Sequence, residues 1–171
     1  LGHKVILLIG DFTGIIGDPT DKTATRKKLT HEEVLHNAKL YKEQASTILS
    51  FSGANPAELK YNSKWLEKLS FADVLELSSH LTHADMVKRE MFQKRIAEGK
   101  ELYMHEFLYP LMQGYDSVAM DVDGEVGGND QTFNMLVGRD LMKKLKGKEK
   151  FVIAMKLLAD PSGKKMGKTE G

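Results

Sequence analysis

Tyr109-Pro110-Leu111-Met112-Gln113-Gly114-Tyr115-Asp116 carries a phenol, a carboxamide and a carboxylate at positions i, i+4 and i+7. At about 100° per residue, Tyr109, Gln113 and Asp116 fall within one narrow sector of a helix. The row spans roughly 10 Å, which suits an elongated zwitterion with a polar group at each end. Phe107, Leu108, Leu111 and Met112 point elsewhere and can anchor the helix in a core. A core-facing helix with such a row needs partners for it, because burying unpaired polar groups is costly. Read alone, the stripe is equally a solvated polar face.

Working outward, His3 to Gly10 reads as a buried strand bounded by glycine, and Asp11 to Thr30 as a loop rich in glycine, threonine and aspartate. Thr30 with Glu33 three residues on gives a capping-box signature for a helix from His31 to Phe51. A turn over Ser52–Pro56 leads to a short strand around Leu59–Tyr61. Helical patterns cover Ser63–Ser79 and Thr82–Glu98, the second ending near Gly99. The striped helix is expected from Met104 to Val118, with Pro110 in its first turn or at a kink. A strand around Ser117–Val122 follows. Gly127-Gly128 then opens a helix of Asp130–Leu145, and Phe151–Leu158 reads as a final strand. Strands alternating with helices predict an α/β fold with a mainly parallel sheet.

The 171 residues can build one sizeable core. With 41% hydrophobic and 29% charged residues, the composition is that of a globular chain and not of a disordered one. No apolar run approaches the roughly 20 residues that span a bilayer, so no membrane role is expected. The absence of cysteine excludes disulfides and thiolate metal sites, and is compatible with the cytoplasm. A net charge of +1 argues against a protein that coats nucleic acid by charge alone.

Three loops could carry ligand chemistry. Gly10-Asp11-Phe12-Thr13-Gly14-Ile15-Ile16-Gly17-Asp18-Pro19 follows a strand, and its glycines let backbone approach a ligand closely. It is neither a dinucleotide fingerprint nor a Walker A sequence, and an ordinary strand-to-loop turn reads the same way. Asp18, on the carboxyl edge of a sheet, is suited to holding an ammonium. Gly127-Gly128-Asn129-Asp130-Gln131 precedes a helix and offers Asp130 and Gln131 as acceptors for ribose hydroxyls or an amine. A plain helix cap preceded by glycines looks similar. Gly163 to Thr169 is one residue short of Walker A; as a basic loop it could bring Lys165 and Lys168 onto a triphosphate, and as a chain end it is a solvated tail. Other candidates fail on spacing. His31 and His36 stand at i, i+5, off one helical face, and the run from Asp121 places glycine too early for a calcium loop.

Taken together, Gly10–Thr20, Phe107–Asp116, Gly127–Gln131 and Lys165–Thr169 resemble bacterial tyrosyl-tRNA synthetases, a family of class I aminoacyl-tRNA synthetases, in order and spacing over essentially the whole chain. The resemblance implies a Rossmann-like catalytic domain with an inserted helical dimerisation segment. It implies that Asp18, Tyr109 and Gln113 bind the α-ammonium of L-tyrosine, that Asp116 receives its hydroxyl, and that Thr13 and Gln131 line the pocket. Gly128 and Asp130 match the ribose-binding loop. Lys165, Lys168 and Thr169 match a signature loop that grips pyrophosphate, while Lys22 and Arg26 match basic residues that stabilise the transition state. The implied function is ATP-dependent formation of tyrosyl-adenylate and transfer to tRNA(Tyr), by a cytoplasmic homodimer. Mg²⁺ would accompany ATP, with no tightly bound cofactor and no dedicated protein ligands for a metal.

Against that family, residues 1–171 are expected to be a partial catalytic domain, incomplete at both ends and by itself inactive. Its His-Ile-Gly-His-type segment and C-terminal tRNA-binding domains would lie outside this sequence. Gly167 and Thr169 stand where the commonest form of the signature loop has serines. Two alternatives are a tryptophanyl-tRNA synthetase, which shares the fold, and a non-catalytic module that keeps a tyrosine pocket. Asp116 in line with Tyr109 and Gln113 favours a phenol over an indole.

Overall fold

The computed structural model describes residues 2–17, 30–87, 89–159 and 161. In chain order the elements are β1 (Ile6–Ile9), α1 (Asp11–Ile16), α2 (His31–Ala38), α3 (Tyr41–Ala45), β2 (Glu58–Tyr61), α4 (Ser63–Leu66) and α5 (Phe71–Ser78). There follow α6 (His83–Val87), α7 (Glu90–Ala97), α8 (Met104–Met120), β3 (Gly124–Gly128), α9 (Thr132–Lys146) and β4 (Phe151–Met155). A 3₁₀ turn over Asn129–Gln131 joins β3 to α9.

Among the described residues the strands form two two-stranded sheets, and both pairs are parallel. β1 lies beside β2 with Ile6 opposite Glu58 and Ile9 opposite Tyr61. β3 lies beside β4 with Gly124 opposite Phe151 and Gly128 opposite Met155. The α/β class with parallel pairing therefore holds, divided between two sheets. No described helix is long and apolar enough to cross a membrane.

The core lies where α8 packs on α9. Leu111 and Val118 of α8 meet Val137, Leu141 and Met142 of α9, and Leu77 of α5 closes the cluster. Glycines allow this approach: a Cβ on Gly114 would stand 2.9 Å from Val137 Cγ1 and 3.1 Å from the Gly138 nitrogen. At the other end of α8, Arg95 of α7 is buried and pairs with the buried Glu106, Nη1 to Oε2 at 2.5 Å. Phe92 stacks on Phe107 with ring centroids 4.9 Å apart. The helical segment before α8 is thus tied to it by an ion pair and a ring stack.

Several boundaries differ from the sequence reading, each for a local reason. Asp11–Ile16 is a helix rather than loop, because the Asp11 carboxylate is held by Ser63 and Gly14 packs under Val34. The helix expected over Ser63–Ser79 breaks before Ser70, which starts a new capping box with Asp73. The helices expected over His31–Phe51 and Thr82–Glu98 are likewise each divided in two. No strand occupies Ser117–Val122: α8 runs on to Met120 and stops at Asp121, whose φ of 52° turns the chain left-handed. The strand begins at Gly124 instead, so Gly127 and Gly128 close β3, and Gly128 also caps the 3₁₀ turn that leads into α9. Pro110 sits inside α8 beyond its first turn, buried, in a helix that continues past it.

Candidate active site

Site residues follow the carboxyl ends of three parallel strands, the position at which open α/β sheets bind ligands. β1 is followed by Asp11 and Thr13, β2 by Asn62 and Trp65, and β3 by Asp130 and Gln131. Helix α8 contributes its polar stripe alongside them.

Asp116 is the centre of the first cluster. Its side chain is buried, and Oδ1 accepts the indole Nε1–H of Trp65 at 2.7 Å while Oδ2 accepts Asn62 Nδ2 at 3.2 Å. Asn62, itself fully buried, also donates to Thr13 Oγ1 at 3.1 Å, and its carbonyl oxygen accepts the Phe12 N–H at 3.0 Å. Asp11 accepts the Ser63 N–H at 2.9 Å and the Ser63 hydroxyl at 2.6 Å. Burial pushes the Asp116 carboxyl up to about 7, with the charges of Glu125 and Asp11 adding to the rise and the bonds from Trp65 and Asn62 opposing it. The stripe is therefore no solvated face at this end. Each Asp116 oxygen keeps a lone pair for a further donor.

The second cluster lies one helical turn away. Gln113 Oε1 accepts Nδ2 of the buried Asn134 at 3.0 Å, and the same nitrogen donates to Gln131 Oε1 at 3.2 Å. Gln131 Nε2 reaches Asp130 Oδ2 at 3.4 Å. A Cβ on Gly128 would lie 2.5 Å from Asp130 Oδ1, so glycine lets that carboxylate fold back over the strand end. Tyr109 stands half-buried on the same helix. Behind the clusters, the buried ammonium of Lys150 meets Glu125 Oε2 at 2.5 Å and Ser117 Oγ at 2.8 Å.

Of the residues expected from the sequence, Thr13 and Asp116 are joined through Asn62, and Gln113 and Gln131 through Asn134. Gly128 and Asp130 sit together at the end of β3. Asp18, Lys22, Arg26, Lys165, Lys168 and Thr169 lie outside the described residues. Sequence reasoning missed Asp11, Asn62, Trp65 and Asn134. The signal for Asn62 was its place directly after a strand in a parallel sheet. For Asn134 it was a carboxamide among Met135, Val137, Gly138 and Leu141, on the apolar side of its helix.

Among the described residues no three His, Cys, Asp or Glu side chains converge as a metal site. A family model described as tRNA synthetases class I (W and Y) matches residues 1–171. The chain belongs to this family. Among curated relatives, this synthetase sequence is 53% identical over 174 residues to a tyrosine--tRNA ligase of Carboxydothermus hydrogenoformans, covering 100% of the chain and 41% of the relative. It is 51% identical over 174 residues to a tyrosine--tRNA ligase of Colwellia psychrerythraea, covering 100% of the chain and 42% of that relative. The chain thus spans about two-fifths of the length of these relatives. Its fold resembles a C-terminally truncated mitochondrial tyrosyl-tRNA synthetase of Coccidioides posadasii, with a TM-score of 0.77 and 26% identity over 96% of this chain and 53% of that one. The Rossmann-like class I synthetase fold expected from the motifs is the fold observed.

Proposed function

We propose that the full-length protein activates L-tyrosine with ATP and transfers the tyrosyl group to tRNA(Tyr). One observation supports the choice of amino acid: Asp116, buried and bonded to Trp65 and Asn62, keeps acceptor lone pairs suited to a phenolic hydroxyl. In this reading Tyr109, Gln113 and Asp18 take the ammonium, and Thr13 and Gln131 line the pocket. Gly128 and Asp130 take the ribose. Lys165, Lys168 and Thr169 grip the pyrophosphate, with Lys22 and Arg26 around the developing charge; these assignments rest on the match of motifs. Names of the relatives at about half identity support the same substrate.

The tyrosine carboxylate attacks the α-phosphorus of ATP, and the bond to pyrophosphate breaks. A hydroxyl of the terminal adenosine of tRNA then attacks the acyl carbon and releases AMP. The nucleophile of the first step is already an anion, so the protein's work is orientation and stabilisation of negative charge on the triphosphate. Mg²⁺ enters with ATP as part of the substrate.

A homodimer and a cytoplasmic location belong to the same proposal. Within the helices between Ser63 and Glu98, where the resemblance puts the dimerisation segment, Met86 and Phe92 are buried in the chain's own core. The exposed apolar side chains in and next to this segment are Phe71 and Leu75 of α5, Ile96 of α7, and Tyr103 and Met104 at the start of α8. Light scattering on the full-length protein should find a dimer; a strict monomer at high micromolar concentration removes that part.

Amino-acid-dependent exchange of ATP with pyrophosphate tests the activity. Exchange with tyrosine and not with tryptophan is expected. Exchange with tryptophan would move the substrate to the other half of the family. Tyrosine binding without any exchange would leave a non-catalytic module.

A further inference from the structure

We infer that Asn134 is a positioning residue that fixes which end of the Gln113 and Gln131 carboxamides faces the amino-acid pocket. This rests on the reading of Gln113 as a ligand of the substrate ammonium.

A glutamine carboxamide has an acceptor end and a donor end of nearly the same shape, so packing alone does not choose between them. An ammonium has only hydrogens to offer, and a carboxamide turned the wrong way presents hydrogens to it. Something has to set the direction. Asn134 Nδ2 carries two hydrogens, and the structure places one acceptor for each: Gln113 Oε1 at 3.0 Å and Gln131 Oε1 at 3.2 Å. With both hydrogens committed, both glutamines turn their oxygens toward Asn134. Gln131 then directs its nitrogen toward Asp130 Oδ2. Gln113 Oε1 keeps a second lone pair, now at a fixed place, for a cation arriving along the stripe.

The burial of Asn134 supports this role. The residue is fully buried, and its Oδ1 has no hydrogen-bond partner. An unmatched buried acceptor is unfavourable, and an aliphatic side chain of similar size, such as leucine, would avoid it. What leucine cannot supply is the pair of donors. The two acceptors also come from different elements, α8 and the turn after β3, so one side chain aligns the ammonium end of the stripe with the loop beside it.

The test uses the full-length protein and two ligands, L-tyrosine and its amine-free analogue 3-(4-hydroxyphenyl)propanoate, with affinities from calorimetry. Wild type should prefer tyrosine. Asn134→Leu should weaken tyrosine about tenfold, the scale of one hydrogen bond, and change the amine-free acid less than twofold. In a Gln113→Leu background, Asn134→Leu should produce no additional loss of tyrosine affinity. Should Asn134→Leu fail to fold by circular dichroism, Asn134→Ser, which keeps one donor hydrogen, takes its place and should retain part of the preference. Equal losses for both ligands in a folded variant, or an undiminished preference for tyrosine, would overturn the inference while leaving the proposed function standing. A wild-type protein that binds both ligands equally would overturn the ammonium site itself, and this inference with it.

Discussion

Trp65 donates its indole N–H to the Asp116 carboxylate across 2.7 Å, joining the helix after β2 to the middle of α8. The two residues are far apart in sequence, and the bond decides what the stripe on α8 is. A carboxylate that the pattern allowed to face water is instead buried and doubly bonded. Its affinity for a proton rises accordingly.

That rise gives the fold a pH dependence with a definite sign. The Asp116 pKa moves from 3.8 to about 7, chiefly by burial, which corresponds to roughly 4 kcal/mol favouring the protonated folded form. Stability from this group is fully present below about pH 4 and is lost as pH rises through about 7. Asp116→Asn, neutral throughout, should lose this slope, while its amide nitrogen, facing one of the two donors, forfeits one hydrogen bond at every pH. Thermal melts of both proteins from pH 4 to pH 8 read the difference, and parallel pH profiles would contradict the assignment. Tyrosine affinity should fall in the same variant.

Asn62 serves three groups at once, so truncating it should be expensive. Asn62→Ala leaves the Phe12 N–H with only its bond to Asp11 Oδ1 and removes donors from Thr13 and Asp116. A loss of about 2–3 kcal/mol is expected in urea unfolding. Trp65→Phe keeps the ring and deletes one donor, and should lose about 1–2 kcal/mol. If Trp65→Phe proves the more damaging of the two, Asn62 does not organise the cluster.

Gly138→Ala tests the closeness of α8 and α9. In an ordinary helix this change stabilises by about 1 kcal/mol. Here the new methyl would lie 2.7 Å from Lys150 Nζ and 2.9 Å from Ser117 Oγ. Overpacking of that kind typically destabilises by about 1–3 kcal/mol, so a lowered melting temperature is expected. A raised one would mean that the Lys150 ammonium moves aside freely.

Lys150→Met should leave Glu125 and Ser117 without their cation. Removing one partner of a buried pair typically destabilises by about 3–5 kcal/mol. Glu125 keeps 25% of its side chain exposed, so the lower part of that range or less is expected. Adding Glu125→Leu should recover most of the loss. A double variant no better than the single one would show that Lys150 acts through its packing rather than its charge.

The sequence alone determined the local plan. Alternating apolar strands and amphipathic helices gave the α/β class, and the spacing of Tyr109, Gln113 and Asp116 put three polar groups on one helical row, because a period of 3.6 residues is a property of the chain itself. The motifs at Gly10–Thr20, Phe107–Asp116 and Gly127–Gln131 were legible for the same reason: each is contiguous, and each was assigned its role through family resemblance. Boundaries were less legible. The end of α8 depends on Asp121 accepting a left-handed turn, and the break before Ser70 on a cap that competes with a continuing helix pattern. What only the tertiary structure decided is which polar groups meet. Asn62 and Trp65 reach Asp116 because parallel pairing of β1 and β2 brings the loops after both strands to one edge. Asn134 reaches Gln113 because glycines at 114 and 138 let two helices approach. Hydrogen bonds between residues 21 to 54 positions apart leave no periodic trace along the chain. Burial, which sets the proton affinity of Asp116, exists only once those segments are packed.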